Sequence, residues 1–514
     1  MTKHNIFEKV RDAYFINPKA PDSTAMIEAA STLIGKVIGR QFPHDDPEIL
    51  PLVEPDFSTE PKSISDVANA LADEYKLARN FDHQSVAQIH PSDNIVGILA
   101  QLASTIKNNN TVMPVASPVE TLYENHSVNW LLENIASYKP DISSGALVLG
   151  GTSANLTGLL VARELLSKNS EKGWHGEEEA VLFTSNMSHY SVTKAADMLA
   201  PRRYPKDGSE DKPRGIIKVE MVPLTPDSYH MDPSELKKRI EAAKKRGQPI
   251  VGVVVLAGET HTGLVDDLDS IIEITQKEGV YTHVDGAYGS PYRLSRVGKL
   301  FDSVKESNSL ACDPHKYMYV PYSCGAILFA DSAHQAILQG FNERANDYLP
   351  GFNLQADRNE VEAAALGDKR IEGSVGGQSA AALYATIRYL GKEGIASLLN
   401  HTLDMAQLFA DRIRGSDAGL RLAFVPQLNT VCVEPVDGVT DISELDKRVE
   451  HTCARLEEDY GIYLTSTKLP YDRKDPGKKR QVFRFVATHP HTDEDDVRHI
   501  ADNLIETWKE VNNL

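Results

Sequence analysis

Five apolar runs separated by helical segments constrain the fold of this chain more than any other feature of its sequence. The runs are residues 145–150, 181–184, 216–222, 250–256 and 280–285. Continuous apolar runs that alternate with helices are typical of a mostly parallel sheet with helices on both faces. The sequence therefore predicts an α/β fold built on such a sheet.

The pattern on either side of these runs divides the chain into three segments. Residues 1–115 are predicted to be mostly helical, with proline-rich joints near residues 43–61. Residues 116–394 contain the predicted sheet, and residues 395–514 are predicted to form a smaller αβ domain. A chain of 514 residues is too long for one simple domain, because single hydrophobic cores stop growing at about 250–300 residues.

Composition and charge exclude several classes of protein. A net charge of −19 argues against binding to nucleic acid, which requires a basic face. No run approaches the apolar length of a membrane span, and the first residues lack the apolar core of a signal peptide. The four cysteines include no Cys-x-x-Cys pair, which is typical of reduced thiols rather than of disulfides or a zinc site. We therefore expect a cytoplasmic protein without nucleic acid, membrane or metal as a partner.

A lysine and an aspartate give the strongest indication of chemistry. Asp285 ends the last apolar run, and Lys316 lies further along the chain, directly after His315. A lysine amine can form a Schiff base with a carbonyl when burial or neighbouring charge lowers its pKa. A carboxylate beside a pyridinium nitrogen makes a bound aldehyde cofactor a better electron sink. Together the two residues predict pyridoxal phosphate (PLP) chemistry on an amino acid.

Polar residues follow other runs at the carboxyl ends of strands, where open parallel sheets bind ligands. Thr152 and Ser153 precede a predicted helix and suit a phosphate, although a capped helix would explain them equally well. His189 is placed to lie over a planar ring, or is a structural histidine. Thr260 either meets the cofactor or closes a turn. Burial of Asp285 requires a partner, which is a pyridinium or a structural salt bridge.

In this order, these residues resemble the group II PLP-dependent amino-acid decarboxylases, which include glutamate, aromatic amino-acid, tyrosine and 2,4-diaminobutyrate decarboxylases. The resemblance runs from about His90 to Pro490, and it is most specific at Asp285 and at the His315-Lys316 pair. It implies fold type I of the PLP-dependent transferases, which is aspartate-aminotransferase-like. It also implies a PLP cofactor, an amino-acid substrate and a homodimer.

The resemblance assigns a role to each matching residue near the cofactor. Lys316 resembles the Schiff-base lysine, Asp285 the partner of the pyridine nitrogen, and His189 the histidine stacked over the ring. The other expected cofactor contacts are Thr152, Ser153, Thr260, Ala287, His315, Gly373 and Ser374. The last two resemble a segment that reaches the phosphate across a dimer interface.

The resemblance also assigns residues to the substrate. Tyr348 lies in residues 341–349, where the family has a mobile catalytic loop whose tyrosine protonates the carbanion; a surface aromatic is the alternative. His90 and Ser117 resemble pocket-lining positions. Arg484 resembles an arginine that meets a substrate carboxylate, and an ordinary paired arginine on a strand is equally consistent.

Two departures from the family pattern bear on the substrate. Glu259 replaces the first of two threonines found in many members, and Val375 replaces an arginine. Either change can alter substrate choice, and we hypothesise that Glu259 favours a cationic substrate.

The expected reaction is decarboxylation of an L-amino acid to its amine and CO2 through a Lys316 Schiff base. Three alternatives stay open from the sequence. One is a carbon–carbon lyase that resembles the sphingosine-phosphate lyases, and another is decarboxylation coupled to oxidation, which gives an aldehyde. The third is a non-catalytic scaffold on the same fold. The identity of the amino acid is not defined by these motifs.

Overall fold

The computed structural model contains two compact units, Met1–Phe81 with Glu457–Gly461, and Asp82–Leu456 with Ile462–Leu514. The residues that it describes are 31, 33–34, 63–75, 78, 81–112, 114, 116–169, 174, 178–200, 217–226, 228–339, 370–436, 441–472 and 477–512. In the first unit, helix α1 (Ile64–Glu74) begins at Ser63, whose hydroxyl accepts a hydrogen bond from the Asp66 amide. Across the described ranges, no helix is long and apolar enough to cross a membrane.

The second unit begins with helices and continues with alternating strands and helices. In chain order they are α2 (Ile95–Lys107), α3 (Pro118–Leu131), β1 (Ser144–Val148), α4 (Gly151–Asn169), β2 (Ala180–Ser185), α5 (Tyr190–Leu199), β3 (Ile217–Val222), α6 (Pro233–Lys245), β4 (Ile250–Leu256), α7 (Leu268–Lys277), β5 (Thr282–Asp285), β6 (Ser309–Cys312), β7 (Gly325–Phe329) and α8 (Ser332–Gln339). A π-helical turn, Leu132–Ala136, follows α3, and two 3-10 helices, Ser290–Leu294 and Gly298–Glu306, lie between β5 and β6.

These strands form one seven-stranded sheet in the order β1-β7-β6-β5-β4-β2-β3. Its other strands run parallel, while β7 is antiparallel to both of its neighbours. The strands β2, β5, β6 and β7 are buried at every position. The predicted mostly parallel sheet is therefore confirmed.

The remaining elements form a second, smaller sheet with its helices. They are α9 (Gln378–Arg414), β8 (Leu420–Leu422), β9 (Thr430–Pro435), α10 (Ile442–Tyr460), β10 (Thr465–Pro470), β11 (Lys479–Val486) and α11 (Glu494–Asn512). The strands pair in the antiparallel order β10-β11-β9-β8. The predicted boundary at residue 394 falls inside α9, shortly after a kink at Gly391, where φ is +60°. The division into three domains stays a prediction.

Two local boundaries differ from the sequence-based expectation. Helix α4 begins at Gly151, so Thr152 and Ser153 belong to its first turn and do not precede the helix. Strand β6 has only four residues and was not predicted as a strand of its own. A run of that length is too short for a periodicity to identify.

A buried asparagine joins the two sheets behind the Lys316 turn. The Asn429 side chain, which is fully buried, bonds to the hydroxyls of Tyr288 and Tyr317 and to the carbonyl of Ala487. Tyr317 follows Lys316 directly in the chain, so this amide connects the small sheet to the turn that carries the lysine.

We predict that Asn429→Ala lowers the free energy of unfolding by about 2 kcal/mol, because it leaves buried hydroxyl and carbonyl groups without partners. Urea denaturation followed by circular dichroism would measure the change. Val425→Ala, at a position 74% exposed, is the appropriate control. Equal stability of Asn429→Ala and the control would contradict the prediction.

Candidate active site

A cavity of about 460 Å³ opens at the carboxyl ends of the parallel strands. Its walls come from the segments that follow β1, β2, β4, β5 and β6, and from two residues before β7. The lining residues are Leu149, Gly150, Gly151, Thr152, Ser153, Asn155, His189, Tyr190, Leu256, Gly258, Glu259, Thr260, Asp285, Ala287, Tyr288, Asp313, His315, Lys316, Tyr322 and Ser323. This is the edge at which an open α/β sheet binds its ligand.

Lys316 faces the cavity as one member of an ion pair. Its Nζ lies 3.0 Å from Asp313 Oδ2, and His315 Nε2 lies 3.7 Å from the same oxygen. Burial lowers the pKa of the Lys316 amine, but the charges of Asp313 and Asp285 oppose this effect and leave the pKa above its ordinary value. The other oxygen of the Asp313 carboxylate, Oδ1, is buried without a hydrogen-bond partner within the described part of the chain. The cavity therefore presents a cation and an unsatisfied acceptor together.

The turn between β1 and α4 has the form of an anion site. A Cβ atom on Gly151 would lie 2.9 Å from Ala287 Cβ and 3.0 Å from Asp313 Oδ2, so a side chain there would occupy the cavity floor. Thr152 and Ser153 follow in the first turn of the helix and line the cavity. The amides of a first helical turn have no acceptor within the helix and carry the positive end of its dipole. These groups suit a phosphate.

Asp285 and His189 contribute the remaining predicted contacts with a ring. Asp285 is 8% exposed, and its carboxylate accepts hydrogen bonds from Asn155 Nδ2 at 2.9 Å and from the Ala287 amide at 3.3 Å. His189 is the N-cap residue of α5, where its side chain accepts from the Ser191 amide. Burial lowers the pKa of His189, although the charge of Asp285 opposes that effect. The histidine is consequently neutral at neutral pH.

Glu259 and Thr260 line the cavity, but the Glu259 carboxylate is occupied by its own turn. It accepts hydrogen bonds from the His261 amide at 2.8 Å and from the Thr262 amide. A carboxylate used in this way no longer offers both oxygens to a cationic substrate. Glu259 still lies in the cavity wall, so the hypothesis that it favours a cationic substrate stays a prediction.

Arg484 lies on β11 and does not line the cavity of the described chain. Its guanidinium donates to the carbonyl oxygens of His261 at 3.1 Å, Ala87 at 2.5 Å and Thr260 at 2.7 Å. These bonds use its donors to hold the 260–261 turn. This arrangement corresponds to the alternative in which Arg484 is an ordinary paired arginine, and its substrate-carboxylate role stays a prediction.

The structure also separates other predicted residues from the cavity wall. The ring of His90 stacks on Tyr322 at a centroid distance of 5.2 Å, so it lies behind a lining residue. Ser117 is buried at the start of α3 and donates to Glu120 Oε2 at 2.8 Å. Gly373 and Ser374 do not line the cavity of this single chain. Tyr348 lies outside the described residues.

Sequence reasoning gave no role to several residues that line this cavity, among them Asp313, Tyr322 and Asn155. Tyr322 stacks between His90 and His315, with centroid distances of 5.2 and 4.0 Å, and belongs to no motif that would have identified it. Asn155 lies in α4. Its position one helical turn after Gly151 was the available signal, because residues three or four apart share a helix face.

We predict that Asp313→Asn lowers the pKa of Lys316, because the substitution removes the anion that stabilises the ammonium. The neutral amine is the reactive form, so acylation of Lys316 should begin at a lower pH in the variant. Competitive labelling with acetic anhydride across a pH series, read by mass spectrometry, measures the midpoint. Labelling of Lys305 in the same sample controls for the reagent. An unchanged Lys316 midpoint would contradict the prediction.

The groups in the cavity fit a phosphorylated aldehyde with a pyridine ring. Lys316 supplies an amine, the first turn of α4 supplies a phosphate site, and Asp285 supplies a buried carboxylate for a ring nitrogen. The unsatisfied Asp313 Oδ1 and the side-chain-free floor at Gly151 agree with a polar ligand at this position.

Comparison with known proteins gives a consistent result. The conserved domain of the pyridoxal-dependent decarboxylases matches residues 47–434, which is more than half of the chain. An aromatic-L-amino-acid decarboxylase of Bacillus atrophaeus is 28% identical over 282 residues, covering 54% of this chain and 54% of the relative. An L-2,4-diaminobutyrate decarboxylase of Acinetobacter baumannii is 27% identical over 397 residues, covering 74% of this chain and 73% of the relative. The first of these matches spans about half the length of the relative.

The fold is similar to that of solved structures. The glutamate decarboxylase domain of a diaminobutyrate-pyruvate transaminase and L-2,4-diaminobutyrate decarboxylase from Vibrio parahaemolyticus superposes with a TM-score of 0.78. The superposition covers 98% of this chain and 99% of that chain, at 20% sequence identity. At this identity the likeness concerns the fold alone.

Proposed function

We propose, from the premise that the chain belongs to the family of pyridoxal-dependent decarboxylases, that it removes the carboxylate of an L-amino acid as CO2 and releases the amine. The observation that carries this proposal is the placement of Lys316 and Asp285 in the wall of one cavity. The match to the family domain confirms the predicted family, its PLP cofactor and its class as a carboxy-lyase. The superposed structure confirms the predicted fold type.

We propose that Lys316 Nζ would hold the cofactor aldehyde and that Asp285 would hold the ring nitrogen. The α4 turn with Thr152 and Ser153 would bind the phosphate. The remaining contacts that we propose are Ala287 beneath the ring, His189 above it, Thr260 near the ring hydroxyl, and His315 at the phosphate. We further propose that Gly373 and Ser374 act on the site of a partner subunit.

The cofactor, when bound, supplies an electron-accepting ring to the carbon that loses CO2. Asp285 keeps a proton at the ring nitrogen, since its buried carboxylate stabilises a positive charge there. Lys316, placed beside the Asp313 anion, would hold or transfer a proton at its Nζ atom. We propose that Tyr348 delivers the proton to the substrate Cα atom.

The substrate is best identified by a panel of L-amino acids, with CO2 release and product mass followed together. An amine product supports the proposal and names the substrate. An aldehyde with ammonia and peroxide would replace it with oxidative decarboxylation, and cleavage of a carbon–carbon bond without CO2 would replace it with a lyase reaction.

We predict that Lys316→Ala abolishes CO2 release and the absorbance of lysine-bound cofactor, because no other cavity residue in the described part of the chain supplies an amine. Lys305→Ala, which removes an exposed lysine, serves as the matched control. Turnover by Lys316→Ala at the rate of the control would refute the proposed role.

We propose that the working protein is a homodimer. Helix α2 has large apolar residues on its exposed face and small ones, Gly97 and Ser104, on its buried face. The exposed residues are Ile95, Ile98, Leu99, Leu102 and Ile106, which are 46–73% exposed. Contiguous apolar surface of this kind marks an interaction site, because a surface helix normally buries its large apolar residues. A second copy of this chain is the occupant that the family resemblance implies.

We predict that Leu99→Asp converts a dimer to a monomer, because the substitution places a charge in the proposed apolar contact. Light scattering coupled to size-exclusion chromatography measures the mass. Val425→Asp, at another exposed apolar position, should leave the mass unchanged. A wild-type protein that is monomeric at micromolar concentration would overturn the proposal.

We also propose a cytoplasmic location. All four cysteines are free thiols in the structure, and three of them are buried. Free thiols are usual in a reducing compartment. Fractionation of cells that express the full chain tests this, and recovery with the exported proteins would contradict it.

A further inference from the structure

The side chain of Asn155 lies at the centre of a buried hydrogen-bond network behind the cavity. The residue is 1% exposed and projects from α4. Its Nδ2 lies 2.9 Å from Asp285 Oδ2 and 2.9 Å from Ser191 Oγ, and its Oδ1 lies 2.9 Å from His283 Nε2. A carboxylate oxygen only accepts, so the amide nitrogen must face Asp285. Both donors and the acceptor of the amide are therefore used, which leaves it one orientation.

One limb of this network fixes the protonation of His189. The Ser191 backbone amide donates to His189 Nδ1 at 3.3 Å, and the Ser191 hydroxyl lies 2.8 Å from the same nitrogen. A backbone N–H can only donate, so Nδ1 is the acceptor and the neutral ring carries its proton on Nε2. The Ser191 hydroxyl accepts a hydrogen bond from Asn155 Nδ2 and donates one to His189 Nδ1. Asn155 thus reaches, through Ser191, the histidine that lines the cavity.

The other limb ends at Asp285. His283 donates from Nε2 to Asn155 Oδ1, so its Nδ1 accepts from Ser309 Oγ at 2.8 Å. The Tyr281 hydroxyl donates in turn to Ser309 Oγ at 3.0 Å. Burial lowers the pKa of His283 to about 4, which keeps the imidazole neutral at physiological pH. In the series Tyr281, Ser309, His283 and Asn155, each side chain therefore donates its hydrogen bond towards the Asp285 carboxylate.

The sheet and helix are shaped to allow these contacts. His283 and Asp285 alternate along β5 and so project from the same face of the sheet, and Tyr281 lies directly before this strand. A Cβ atom on Gly158 would lie 2.7 Å from two atoms of the His283 ring. Only glycine at that position lets α4 approach β5 closely enough for Asn155 to bond to both His283 and Asp285.

We propose that Asn155 is a positioning residue that holds the Asp285 carboxylate and the His189 imidazole in the orientations that the cofactor requires. The inference rests on the proposed function, since the two groups that it orients are proposed contacts of PLP. A single buried amide then serves both the group at the ring nitrogen and the group above the ring. Asn155 borders the cavity, but its amide bonds to Asp285, Ser191 and His283, so it acts through these residues.

The test compares cofactor binding by apo-protein carrying Asn155→Leu or Asn155→Asp. Loss of a hydrogen bond to a charged group weakens binding by about tenfold to a hundredfold, so Asn155→Leu should raise the dissociation constant of PLP by that factor. Asn155→Asp should weaken it further, because it places a second carboxylate against Asp285. Absorbance titration with PLP measures the constant.

The pH dependence of the bound-cofactor absorbance is the second readout. His189 also faces the charges of Asp285, Lys316, Asp313 and His261, so its titration reports on the whole cavity. Both Asn155 variants should shift this profile, whereas a role confined to folding would lower stability and leave the profile in place. Asn503→Leu, which removes another buried amide in α11, should reduce stability without changing either readout.

The outcomes separate the inference from the function on which it rests. A folded Asn155→Leu protein with wild-type affinity and pH profile overturns the inference while decarboxylation by the wild type stands. A wild-type protein that binds no PLP overturns the proposed function itself, and the inference with it. If neither Asn155 variant folds, Ser191→Ala and Ser309→Ala decide, because each removes one hydroxyl from one limb. Wild-type affinity and profile in both would overturn the inference.

Discussion

The burial of charge at the ends of β5 and β6 is the constraint on which the rest of the structure depends. Asp285 and Asp313 are 8% and 2% exposed, and a buried carboxylate without partners is strongly unfavourable. Asp285 receives two N–H donors, and Asp313 faces the Lys316 ammonium. The register of the sheet pairs Asp285 with Ala311, so the chain after β6 is delivered beside it. Strand pairing thus places the two carboxylates, and their hydrogen-bond and ion-pair partners offset the cost of burying them.

The small sheet stabilises this arrangement from outside the cavity. Asn429 holds the hydroxyls of Tyr288 and Tyr317, which follow the residues beneath the proposed ring and the lysine. Arg484, from β11, holds the carbonyls of the 260–261 turn. Both side chains bond to hydroxyl or carbonyl groups of segments that form the cavity wall. The small sheet therefore helps to determine where that wall lies. The second sheet therefore contributes to the site without lining it.

The sequence predicted the features that depend on local pattern. It did not predict the contacts that form only when the fold brings distant segments together. Continuous apolar runs identified the parallel strands, and residue type with position identified Lys316 and Asp285. The two interpretations of Arg484 could not be separated from the sequence, because an arginine on a strand has the same local pattern whether it meets a ligand or a carbonyl. Asn155 received no role, since its three partners come from separate parts of the chain. Only the folded sheet brings them together.

The side chains of the cavity wall are not all held equally firmly, and this difference bears on substrate choice. The groups around Asp285 belong to hydrogen-bond networks, and Glu259 is bound to its own turn. Tyr322, by contrast, is 47% exposed and is positioned by ring stacking between His90 and His315. Stacking tolerates displacement better than a hydrogen bond does, because it has no narrow angular requirement. The hydrogen-bonded side of the cavity near Asp285 is therefore the more rigid one, and the aromatic wall at Tyr322 is the side that can adapt.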